Sequence, residues 1–150
     1  MTRDQVLSRL QNLCARSEHC AADVYRKALK ALEGDAEAAA AVRDALLADG
    51  YVDDLRYATA FARDKAALTG WGPVKIRFAL RAKGLPEETV AAALAALEPE
   101  RAEEKLRRLV ETKARSLEGD PQRRLKLLKF ALGRGYDYDS VEKIIRESGF

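Results

Sequence analysis

A unit that recurs about every fifty residues constrains this chain more than any other feature. Leu80-Arg81-Ala82-Lys83-Gly84-Leu85 is followed by Glu88-Thr89-Val90, and Ala131-Leu132-Gly133-Arg134-Gly135-Tyr136 by Asp139-Ser140-Val141. Each reads as helix, basic residue, glycine and apolar residue, then an acid, a hydroxyl and Val opening the next helix. Gly84 and Gly135 are 51 residues apart, and Gly34 stands 50 residues before Gly84 behind another amphipathic stretch. A helical repeat of this length builds an array whose units bury their apolar faces on one another and present extended surfaces, which favours binding over chemistry.

Helix signals mark nine segments. Thr2-x-x-Gln5 forms a capping-box pattern, and Ser17, Asp35 and Asp53 or Asp54 open the next three. The fifth begins at Gly72-Pro73, the sixth at Pro86, the seventh at Pro99, the eighth at Asp120-Pro121 and the ninth at Asp137. No segment alternates with the period of a strand. The expected architecture is all-α: three tandem three-helix repeats over residues 2–50, 53–97 and 99–150. Expected core positions include Val6, Leu10 and Leu13; Val24, Ala28 and Leu32; Val42, Leu46 and Leu47; Leu55, Tyr57, Ala58 and Phe61; and Leu125, Leu128 and Leu132 on the eighth helix.

No apolar run approaches the length of a membrane span, and two cysteines, Cys14 and Cys20, suit a reduced cytoplasmic protein. Net charge is only +3 but uneven: Lys105 to Lys129 holds nine basic and three acidic residues, and no acid lies between Lys65 and Glu87. At 100° per residue, Arg77 and Arg81 fall about 40° apart, while Ile76, Ala79 and Leu80 form the apolar side and Phe78 lies off it, about 60° from Arg81. Arg123, Lys126 and Phe130 cluster similarly on the eighth helix. These faces are candidate contacts for phosphates or an acidic groove. Against that, Phe78 and Phe130 at helical spacing ordinarily pack on a neighbouring helix. The seventh helix carries Lys105, Arg107, Arg108, Lys113 and Arg115, diluted by Glu103, Glu104 and Glu111 into a solvated face.

Chemistry finds little support. Asp53 and Asp54 point about 100° apart on a helix, so capping explains them better than a metal pair. One His and two Cys fall short of a structural zinc site. Gly70-Trp71-Gly72-Pro73 has Pro where a phosphate loop needs a free N–H. No cofactor, metal or catalytic residue is expected.

Gly50-Tyr51-Val52-Asp53-Asp54-Leu55-Arg56-Tyr57-Ala58 leads through Phe61 and Arg63 to Gly72-Pro73-Val74-Lys75-Ile76, then Leu80 and Lys83-Gly84-Leu85. This pattern resembles the RecX family of regulatory proteins, over about residues 16–146 and most strongly at 50–85. The chain departs from the family at Cys20, where a capping Ser is usual, at Asp23-Val24 and Lys27-Ala28, and at Ala79. The resemblance implies a non-enzymatic protein with an elongated, curved array of repeats. Similar proteins lie in the groove of the RecA–DNA filament and suppress its ATPase, strand-exchange and co-protease activities. Under that reading Lys75, Arg77, Arg81, Lys83, Arg123, Arg124 and Lys126 are the candidate contact residues. The partner is the RecA filament, with weak non-specific DNA contact in addition, and the protein is a cytoplasmic monomer. The alternative is a helical DNA-binding protein of weak sequence specificity, although no helix lines up side chains for base edges.

Overall fold

A computed structural model describes all 150 residues, as nine α-helices without a strand. They are α1 (Arg3–Arg16), α2 (Ala21–Ala31), α3 (Ala36–Ala48), α4 (Asp54–Leu68), α5 (Pro73–Ala82), α6 (Glu87–Ala95), α7 (Pro99–Ser116), α8 (Arg123–Gly133) and α9 (Tyr138–Glu147). None is long and apolar enough to cross a membrane. The chain forms two compact units. The first comprises Met1–Phe61 with Leu80–Ala93, and the second Ala62–Ala79 with Leu94–Phe150, so α4, α5 and α6 each contribute to both.

The core of the first unit joins Val6, Leu10 and Cys14 of α1, Val24 and Ala28 of α2, and Ala39, Val42 and Leu46 of α3, with Val52 closing it. These residues follow the three- and four-residue steps of one helix face. The core of the second unit joins Leu106, Val110 and Ala114 of α7, Leu127 and Ala131 of α8, Tyr136, and Val141, Ile144 and Ile145 of α9.

Local chemistry sets the helix starts. Thr2 and Gln5 complete a reciprocal capping box at α1, while Asp35 caps α3 and Asp137 caps α9 through backbone N–H groups three residues on. The start of α2 differs from expectation. Ser17 terminates α1, and the residue at the N-cap of α2 is Cys20, whose side chain makes no cap hydrogen bond.

The buried face of α8 also differs. Leu127 and Ala131 point into the core, whereas Leu125 is 46% and Leu132 38% exposed, and Leu128 is half-buried. The segment is apolar on two sides, so its periodicity admits two faces. Packing between α7 and α9 selects the one carrying alanine, which admits closer approach. The same preference puts Ala58 and Ala62 of α4 inside and leaves Leu55 exposed. Leu47 of α3 is likewise exposed. The eighth helix starts at Arg123 rather than at Asp120-Pro121, because Asp120 first closes a turn by accepting from the Gln122 N–H at 2.8 Å.

Candidate partner-binding surfaces

The N-terminus of α5 is held by backbone from the end of α8. Gly72 N–H donates to the Arg134 carbonyl at 2.8 Å, Val74 N–H to the Gly135 carbonyl at 2.9 Å, and Lys75 N–H to the same oxygen at 3.4 Å. Three donors at a helix entrance thereby gain partners that the helix itself cannot supply. The approach requires glycine on both sides. A Cβ on Gly72 would lie 2.4 Å from the Gly135 oxygen, and one on Gly135 would lie 2.2 Å from the Lys75 Cβ. With α5 anchored, Ile76 and Leu80 are buried, while Val74 (53% exposed) and Phe78 (75% exposed) stand one turn apart toward solvent. Phe78 is therefore not the packing residue its spacing suggested.

The sequence-derived basic residues have different immediate partners. Lys75 places its ammonium 4.7 Å from the centroid of the Trp71 ring, beside Lys65 at 4.6 Å. Arg77 is half-buried on α5. Arg81 grips both oxygens of Glu87 in a fork at 2.7 and 2.8 Å. Lys83 reaches Asp23 at 3.4 Å. Arg124 pairs with Glu142 at 3.1 Å and Lys126 with Asp120 at 2.6 Å. Arg123 faces inward: it donates to the Ala114 carbonyl at 2.9 Å and stacks over Phe150 at 4.5 Å, and its Nε is buried without a partner. Surface ion pairs of this kind are worth about 0–1 kcal/mol, so an incoming anion can displace most of them; the inward guanidinium of Arg123 is a structural member.

The first unit's titratable groups serve the fold. Asp53 accepts from Arg56 N–H at 2.9 Å and caps α4; Asp54 turns away and accepts from Ala21 N–H at 2.8 Å. Burial opposes ionisation of Asp23, yet hydrogen bonds from Cys20 and Lys83 and the nearby Arg26 hold its carboxyl below the ordinary value. Burial pushes the Tyr57 hydroxyl up to about 12. It also raises both cysteine thiols, which disfavours the nucleophilic thiolate at these two buried positions.

Sequence reasoning missed a groove along α7 in the second unit. One cleft of about 620 Å³ is lined by Ala66, Ala67, Ala96 and Ala102 together with Trp71, Arg63, Arg101 and Lys105. A second of about 360 Å³ continues along α7 past Lys113 to Phe130 and Arg134, sharing Lys105 and Arg108 with the first. Lys113 and Arg134 hold their charges 5.4 and 5.3 Å from the centroid of the Phe130 ring. The available signal was the row Arg101, Lys105, Arg108, Thr112 and Ser116, at three- and four-residue steps on one face of α7. The interleaved glutamates hid it by lowering the net charge of the segment.

Comparison with known proteins agrees with this architecture. Residues 53–94 match the family model described as RecX, second three-helix domain. The chain is similar to a regulatory protein RecX of Xanthomonas oryzae pv. oryzae (strain MAFF 311018), 35% identical over 145 residues, covering 93% of this chain and 86% of that one. Its match to a regulatory protein RecX of Xanthomonas axonopodis pv. citri (strain 306) is 41% identical over 93 residues, covering 61% of this chain and about half (56%) of that relative's length. The crystal structure of RecX from Lactobacillus salivarius shares the fold with a TM-score of 0.86 at 22% identity, covering 97% of this chain and 95% of that one. Identity of this extent along nearly the whole sequence shows that the chain belongs to the RecX family of regulatory proteins.

Proposed function

We propose that this protein regulates the RecA recombinase by binding the RecA–DNA filament groove, lowering its ATPase, strand-exchange and co-protease activities without chemistry of its own. The carrying observation is the 35% identity to a RecX protein across 93% of the chain. It acts as a cytoplasmic monomer of three three-helix repeats, residues 2–50, 53–97 and 99–150, with weak non-specific DNA contact in addition. The exposed face of α5 supports the reading, because Val74 and Phe78 offer apolar area beside Lys75 and Arg77. Arg81, Lys83, Arg124 and Lys126 add salt-sensitive attraction by exchanging weak surface pairs for acids on the partner.

The test is the DNA-dependent ATPase of the cognate RecA with this protein titrated in. Inhibition below one protein per RecA subunit is expected, weakened by Arg77→Glu with Phe78→Asp. Unchanged inhibition by that double variant excludes the α5 face. No inhibition by the native protein overturns the proposal.

A further inference from the structure

We infer that the groove along α7 captures an extended acidic peptide segment of a protein partner, through residues other than the Val74, Arg77 and Phe78 of the α5 face. It rests on the reading above only for which protein supplies the segment.

The basic row on α7 matches the length of a short extended peptide. From Arg101 to Ser116 the α7 row runs about 22 Å at 1.5 Å per residue. An extended chain advances about 3.3 Å per residue, so the row accommodates about seven residues. The four alanines among the lining residues of the first cleft leave room for a backbone, and its volume of about 620 Å³ can take one or two apolar side chains against Leu97.

Charge selects the class of ligand. Arg101 and Arg108 are tethered by Glu98 at 3.0 Å and by Glu104. Arg63 and Lys105 stand outside those two pairs, facing the same cleft. At the second cleft every charged lining residue is basic: Lys105, Arg108, Lys113 and Arg134. Carboxylates spaced along an extended chain would meet these cations in succession.

A protein segment fits better than a single nucleic-acid strand. Strand binding uses bare aromatic faces on which bases stack. Here the Trp71 ring already carries the ammonium groups of Lys65 and Lys75, and the Phe130 ring carries Lys113 and Arg134. Glu98 and Glu104 line the same cleft and can accept hydrogen bonds from peptide N–H groups, donors that a phosphodiester backbone does not have.

Trp71 is the sole tryptophan of the chain and reports on the cleft directly. The full-length protein is titrated with a blocked seven-residue peptide of alternating acidic residues and leucine, while Trp71 emission is followed. The expected result is a saturable change, weakened at least tenfold by Arg63→Glu with Lys105→Glu and progressively by salt. A thermal melt verifies that the variant is folded; if it is not, Arg63→Gln with Lys105→Gln serves, with at least a threefold loss expected. Unchanged emission overturns the proposal, as does undiminished binding by a folded variant. Tighter saturation by an oligothymidylate of similar length also overturns it, in favour of nucleic acid. RecA ATPase separates the two readings: a native protein that binds the peptide but fails to inhibit RecA sinks the filament proposal and leaves this one standing.

Discussion

The carboxylate of Asp54 accepts a hydrogen bond from the backbone N–H of Ala21 at 2.8 Å, across 33 residues of sequence. It supplies at a distance the cap that Cys20 does not give to α2, while its neighbour Asp53 caps α4 in the ordinary way. Two adjacent acids thereby start two helices, α2 and α4.

Asp54→Ala is expected to destabilise the protein by about 1–2 kcal/mol, in the range of a lost N-cap, and Asp53→Ala by a similar amount. The two differ in rescue. Cys20→Ser restores a local cap at α2 and should recover about half the loss in Asp54→Ala but none in Asp53→Ala. Urea denaturation of the four variants checks this, and equal effects of Cys20→Ser in both backgrounds would refute the long-range cap.

Gly72→Ala and Gly135→Ala should each cost about 3 kcal/mol or more, because the added Cβ meets backbone or Lys75 below 3.0 Å and breaks the hydrogen bonds at the α5 entrance. Gly34→Ala is the control. Its φ of 88° carries the left-handed penalty alone, about 1–2 kcal/mol, with nothing within 4 Å of the new atom. The thermal midpoint ranks the three.

Stability should be level near neutrality and decline in acid. Asp23, with its side chain 12% exposed, has a folded-state carboxyl held below its ordinary value of 3.8. Its contribution is full above that value and lost as pH falls through the lower folded one. Asp120, bonded by Lys126, and Glu147, bonded by Arg107, shift the same way. The urea midpoint should therefore fall below about pH 4, and Asp23→Asn should flatten part of that slope. An identical slope in the variant would remove Asp23 from the account.

Arg123 and Arg124 are adjacent yet predicted to behave oppositely. Arg123→Ala loses the bond to the Ala114 carbonyl and the contact with Phe150, and should cost about 1–3 kcal/mol. Arg124→Ala gives up one exposed pair with Glu142 and should stay within about 0.5 kcal/mol. Chemical denaturation of the two variants decides it.

Much of the fold is legible in local pattern. The capping box at Thr2, Pro73 at the start of α5 and the apolar steps of α1 and α2 each follow from interactions within a few residues. Leu13 and Leu32 lie half-buried against the core where the pattern placed them, although Cys14 takes the fully buried position. The candidate site was less legible. The seven basic residues are visible as charge, but whether each faces solvent, an acid or a ring depends on groups far away in sequence. Arg123 shows this plainly: helical angles put it beside Lys126 and Phe130, and the C-terminal Phe150 draws it inward.

The sequence by itself therefore determined the helices, their approximate ends and the family, because caps, turns and amphipathic periodicity are short-range properties. Only the tertiary structure decided which face of α8 is buried, which helix Asp54 caps, why Gly72 and Gly135 must lack side chains, and that the α7 row borders a groove. Each of these depends on backbone and side chains brought within a few ångströms across tens of residues, and no periodicity along the chain encodes that proximity.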